Sequence, residues 1–123
     1  MSGTTGTNSF VISTVTVSST TSISSPLAPN TDNFSQYCAT AQSTNLTINA
    51  DSGSPTDGKK LVFRFKDNGT PVNLTWTTGT SKSYRVVGVT LPTVTVASKT
   101  VYVGCIYNSA DARWDAVAVA QEA

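Results

Sequence analysis

Residues 59–76 read KKLVFRFKDNGTPVNLTW, and this stretch decides the fold class. Leu61, Phe63 and Phe65 alternate with Val62, Arg64 and Lys66, the period-2 pattern of a strand with one apolar and one mostly charged face. Asp67-Asn68-Gly69 follows as a turn signal, because Asn and Gly tolerate the positive φ of tight turns. Val72, Leu74 and Trp76 then restart the alternation, with Asn73 and Thr75 on the other face. The stretch predicts a β-hairpin.

The same pattern extends in both directions. Phe10 to Val17 (FVISTVTV) and Asn45 to Ala50 read as strands, and Tyr37 to Gln42 as a short one. Ser18 to Asn30 is a Ser/Thr run ending in Pro26 and Pro29, which argues for an extended segment outside any central strand. Asp51 to Gly58 (DSGSPTDG) is a loop. Tyr84 to Leu91 predicts a strand ended by Pro92, and Lys99 to Tyr107 (KTVYVGCIY) is the strongest strand. Its apolar residues lie on both faces, which suits a central strand or a subunit contact. Asn108 to Ala112 turns the chain and Arg113 to Ala120 returns it as a C-terminal hairpin. About seven to eight short strands with frequent turn signals predict an all-β fold, a compact antiparallel β-sandwich or small barrel. Residues 1–29 are expected as an extended N-terminal arm and residues 30–123 as the domain.

Composition narrows the chemistry. Charged residues are 12% of the chain and the net charge is +1. Ser and Thr make up roughly 30%, far above their usual share. Hydroxyls solvate a sheet face without ionic groups, and Thr is β-branched, so the composition suits strands. Lys and Arg are too few and too scattered for nucleic acid or an anionic membrane. No apolar run reaches the length of a membrane span, and residues 1–10 lack a secretory signal. The expected setting is therefore a cytoplasm until assembly.

Histidine is absent, which removes the commonest general base and the Ser-His and Cys-His pairs. Asp51, Asp57, Asp67 and Asp111 sit in predicted turns, where Asx-turns account for them. Asp115 reads as a solvated or hydrogen-bonded strand residue, and Asp32 and Glu122 complete the acidic set without forming a pair. DSGSPTDG lacks the ligand density of a calcium loop. No catalytic, cofactor or metal residue is predicted, and the protein is expected not to be an enzyme. Cys38 and Cys105 read as buried thiols, a single disulfide being the less favoured reading. The four N-x-[ST] matches, at Asn33, Asn45, Asn68 and Asn73, are what chance gives in a Thr-rich chain.

Several motifs together carry a resemblance: Lys60-Leu61 and Arg64 with Lys66-Asp67-Asn68-Gly69-Thr70, then Leu74-Thr75-Trp76, Leu91-Pro92-Thr93 and Lys99-Thr100. Tyr102, Gly104, Tyr107-Asn108, Trp114-Asp115 and Gln121-Glu122 complete the set. Over roughly its last two-thirds the chain resembles a module that recurs in tailed-bacteriophage virion proteins, often at the C-terminus of tail fibres and head fibres. The resemblance implies an oligomeric, β-rich virion component assembled in the host cytoplasm, and brings no catalytic residue with it. A short arm on a small domain favours a capsid decoration or cement protein. The expectation is a homotrimer on the head shell, bound to the major capsid protein or another virion protein. The alternative is a head-fibre or tail-fibre receptor-binding protein holding host surface glycans. For the trimer, Val101, Tyr102, Val103, Ile106, Tyr107 and Trp114 are the expected contacts. Tyr84 is the expected ligand contact.

Overall fold

Leu61, Phe63 and Phe65 are fully buried while Lys66 on the opposite face is exposed, so the alternation read from the sequence marks the inside and outside of a sheet. A computed structural model describes residues 15–123. Within them are eight strands and no helix: β1 (Val17–Thr20), β2 (Gln36–Gln42), β3 (Leu46–Ile48), β4 (Lys60–Asp67), β5 (Leu74–Trp76), β6 (Ser83–Val86), β7 (Val101–Asn108) and β8 (Arg113–Gln121). Six of them form one sheet in the order β1-β2-β4-β7-β8-β6, and β3 and β5 form a second.

The chain reaches this arrangement by winding. β1 pairs parallel with β2, and β2 parallel with β4. In the second layer Leu27 bridges parallel to Ile48, and β3 pairs parallel with β5. Three successive passes thus each place one segment in each layer: β1 with Leu27, β2 with β3, and β4 with β5. The order then reverses. Asn73 bridges antiparallel to Val94, and β7 returns antiparallel to β4. β8 closes the C-terminal hairpin against β7, and β6 lies parallel along the far side of β8.

The sheet is therefore mixed and open, with β1 and β6 at its edges, and the winding is solenoid-like. This corrects the expected antiparallel sandwich or barrel. The hairpin expected over 59–76 is also overturned. Both sides of β4 are taken, by β2 and β7, and β5 lies in the other layer. The Asp67-Asn68-Gly69 signal still turns the chain. The Asp67 carboxylate accepts the Gly69 N–H at 2.9 Å, an Asx-turn, and Gly69 sits at φ +108°, where a side chain is disfavoured. Pro71 then has no N–H for a ladder, and the Val72 N–H donates to Thr95 Oγ1 at 2.9 Å. The chain is drawn across to the second layer instead of back along β4.

Of the 1–29 segment expected as an arm, residues 1–14 and most of the Phe10–Val17 strand lie outside the described residues. From Val17 onward that segment belongs to the winding: β1 lies along β2 and Leu27 is buried. The strand expected over Tyr84 to Leu91 is confined to Ser83–Val86. The C-terminal hairpin and the central place of the Lys99–Tyr107 segment agree with the sequence reading.

The core lies between the layers. Phe63 meets Trp76 edge-on with centroids 5.2 Å apart and Tyr84 at 5.7 Å, while Tyr37 stacks on it at 6.4 Å. These aromatics join the faces of β2, β4, β5 and β6 into one cluster with Leu46, Ile48, Leu61, Val101 and Val103. Burying each such side chain is worth about 1.5–3 kcal/mol. Two polar clamps tie the ends. Buried Gln42 accepts the Ile23 N–H and donates to the Ile23 and Thr44 carbonyls. Asp51 accepts from the Thr31 N–H, the Thr31 hydroxyl and the Gly53 N–H.

Gly53 is at the tightest point of the second clamp. A β-carbon there would lie 2.9 Å from Asn30 Oδ1 and from the backbone nitrogens of Thr31 and Asp32. Gly53→Ala is expected to destabilise the fold by about 1–3 kcal/mol through overpacking. A thermal melt beside the wild-type chain checks it; an unchanged midpoint would show that the 30–32 segment yields freely.

Candidate functional site

Two buried carboxylates could in principle do chemistry, and both are engaged in holding backbone. Asp51 is committed to Thr31 and Gly53 as described. Asp67 Oδ1 accepts the Gly69 and Ser98 N–H groups at 2.9 and 2.7 Å, and Oδ2 accepts the Thr95 hydroxyl at 2.6 Å. Burial pushes the Asp67 carboxyl up, but the bonds from Thr95, Ser98 and Gly69 and the charge of Lys66 outweigh it, and its pKa is lowered. Asp115 forms a two-point pair with Arg85, Nε to Oδ1 at 2.8 Å and Nη2 to Oδ2 at 3.2 Å, and Arg85 also reaches Asp111 at 3.0 Å. Asp32, Asp57 and Glu122 each accept a backbone N–H, from Ser54, Ser109 and Thr100. Among the described residues no three His, Cys, Asp or Glu side chains stand close enough together to hold a metal ion.

The thiols lie on opposite faces of the sheet. Cys105 pairs in register with Leu61 and shares its inward face, whereas Cys38 pairs with Arg64 on the outward face. β4 separates their strands, and their partners Arg64 and Leu61 stand three residues apart on it, so two strand spacings and about 10 Å of rise lie between them. Both are free and buried. Burial, with Asp115 contributing, pushes the Cys105 thiol up to about 12, so it stays protonated and non-nucleophilic at neutral pH. Both thiols are expected to resist alkylation in the native chain and to react once it is unfolded. Rapid labelling of either under native conditions would contradict their burial.

The expected contact residues divide sharply. Val101, Val103, Tyr107 and Trp114 are buried in this chain's own core. They pack inward because alternate residues of β7, and Trp114 opposite Tyr107 on β8, share the face of Leu61 and Phe63. A subunit contact cannot use them, and the expected six reduce to Tyr102, which is 43% exposed, and half-buried Ile106. Tyr84 is 1% exposed; its ring packs on Phe63 and Trp76 and its hydroxyl donates to the Asn49 carbonyl at 2.9 Å. It has no face left for a sugar. Burial also raises its pKa, so the phenol remains a donor.

What remains is surface. On the outward side of the six-stranded sheet the register aligns three cross-strand rows: Cys38, Arg64, Tyr102 and Ala120; then Val17, Gln36, Val62, Gly104 and Ala118; then Lys60, Ile106 and Asp115. Gly104 faces Ala118, where an added β-carbon would stand 3.6 Å from the Ala118 methyl. The middle row is uncharged, and cations sit on its β4 flanks. At the opposite layer Trp76 donates its Nε1–H to the Pro92 carbonyl at 2.8 Å. Beside it a shallow groove is lined by Leu74, Leu91, Thr93 and Val94.

Comparison with protein-family models, with curated proteins and with solved structures finds no match. Sequence reasoning missed Gln42, Thr31 and Thr95 as structural side chains. The one signal at Gln42 was a polar residue closing an otherwise small and apolar strand. Thr31 and Thr95 had none, since Thr is everywhere in this chain.

Proposed function

We propose that this chain is a non-enzymatic structural protein of a tailed-bacteriophage virion, a decoration or cement protein seated on the head shell. The observation that carries the reading is the set of motifs from Lys60 to Glu122. In this fold they fall on β4, its turn, β5, the connection from β6 to β7, β7 itself, and β8 with the residue after it. The engagement of Asp51, Asp67 and Asp115 in structural bonds supports a role exerted through surfaces. On the shell three copies are grouped, with Tyr102 and Ile106 at the contact. The glycan-binding alternative named Tyr84 as a contact, and that ring is inside the core.

The test uses heads prepared without this protein. Adding the purified full chain is expected to give saturable co-sedimentation and to raise the temperature at which the heads rupture. A second chain lacking residues 1–14 retains every described residue; weakened binding by that variant with an unchanged far-ultraviolet β-sheet spectrum would assign the clamp to the N-terminal segment. Failure of the full chain to bind heads would overturn the reading.

A further inference from the structure

Among the described residues the two layers have four edges, and three are guarded. At β6 the outward-facing Tyr84 N–H is taken by the Thr77 carbonyl at 3.0 Å, and Arg85 places charge on the strand. The Leu27 edge of the second layer is flanked by Pro26 and Pro29, neither of which has an N–H to offer. The Val94 edge is a single bridge just after Pro92. Loops, charges, prolines and shortness are the devices that keep sheet edges from pairing.

Among the described residues β1 has no loop, charge or proline at its outer edge, and its four residues make it longer than the single bridge at Val94. The Gln36 N–H donates to the Thr16 carbonyl, which fixes the parity of the parallel ladder. Residues 16, 18 and 20 turn their backbone toward β2, and Val17 and Ser19 turn theirs outward. Val15 and Val17 are 69% and 45% exposed. No Asp, Glu, Lys or Arg occurs before Asp32, and no Gly or Pro interrupts Phe10 to Ser25. An uncharged Val/Ser/Thr edge carries no self-repulsion and matches its own copy in hydroxyl and β-branched cross-strand pairs.

We propose that β1 is a self-association edge, pairing antiparallel with β1 of a second copy. The pairing is isologous, so it closes as a dimer and leaves no free β1 edge for a filament. It uses a different surface from Tyr102 and Ile106 and does not depend on the head-shell reading.

Light scattering on the full chain tests it. The expected mass is twice 12.8 kDa at high micromolar concentration, falling toward a single chain on dilution. Val17→Pro removes an N–H that points away from β2 and holds Thr16 in the extended region it already occupies beside β2, and Val17→Lys adds a charge at the same edge. Both are expected to run as single chains with an unchanged far-ultraviolet β-sheet spectrum. Amide exchange gives a second readout that needs no variant: Val17 and Ser19 become protected as concentration rises. A wild-type chain that stays single at high micromolar concentration would overturn the proposal. So would association that survives both Val17 variants, or a trimer abolished by Tyr102→Arg alone.

Discussion

Phe63→Ala is expected to destabilise this protein by about 3–5 kcal/mol, the usual cost of removing a buried phenyl ring from a packed core. Phe63 is fully buried and touches aromatic rings from both layers, Tyr37, Phe65, Trp76 and Tyr84. Removing it empties the place where β2, β4, β5 and β6 meet. A domain of this size has total stability of about 5–15 kcal/mol, so the variant sits near the unfolding threshold. Its melting midpoint should fall by roughly 10–25 °C. Chemical denaturation with tryptophan fluorescence is a suitable probe, because Trp76 stands 5.2 Å from the lost ring. A loss below about 1 kcal/mol would mean that the layers collapse to fill the space.

Asp67→Ala is expected to cost about 3–4 kcal/mol by a different mechanism. The carboxylate is 2% exposed and receives three hydrogen bonds, and bonds to a charged partner are worth about 1.5–3 kcal/mol each. Alanine strands the Gly69 and Ser98 N–H groups and the Thr95 hydroxyl. It also unties the end of β4 from the segment that leads into β7. Asp67→Asn should cost less, since Oδ1 can keep its two backbone donors. The same carboxylate sets a pH dependence. Its pKa in the folded chain is lowered from an unfolded value near 3.9. Its contribution is therefore complete above that unfolded value and is lost as pH falls through the folded one. Wild-type stability should decline in acid, and Asp67→Ala should flatten that decline. Parallel acid profiles of the two chains would contradict the assignment.

The all-β class was legible because alternation is a local property: Leu61, Phe63 and Phe65 announce an inward face whatever lies beside them. Partner choice is not local. Asp67-Asn68-Gly69 correctly marked a reversal, but whether Leu74–Trp76 returned to β4 or crossed to β3 depended on which sides of β4 were already occupied. The two apolar faces of Lys99–Tyr107 were read as either a central strand or a subunit contact. Val101, Val103 and Tyr107 face the second layer and leave the surface, while Tyr102 and Ile106 stay on the outward face. Tyr84 misled for a related reason, since one strand-edge tyrosine looks alike in sequence whether its hydroxyl finds water or the Asn49 carbonyl. The structural threonines were hidden by the abundance of Thr that made the sheet legible at all.

The proposed seat on a virion head is decided by cryo-electron microscopy of the intact particle that carries this chain. The prediction is many copies in regular array on the icosahedral shell, with Tyr102 and Ile106 at a contact between copies. A few copies confined to the tail or to one vertex, or no copy on the particle, would contradict it.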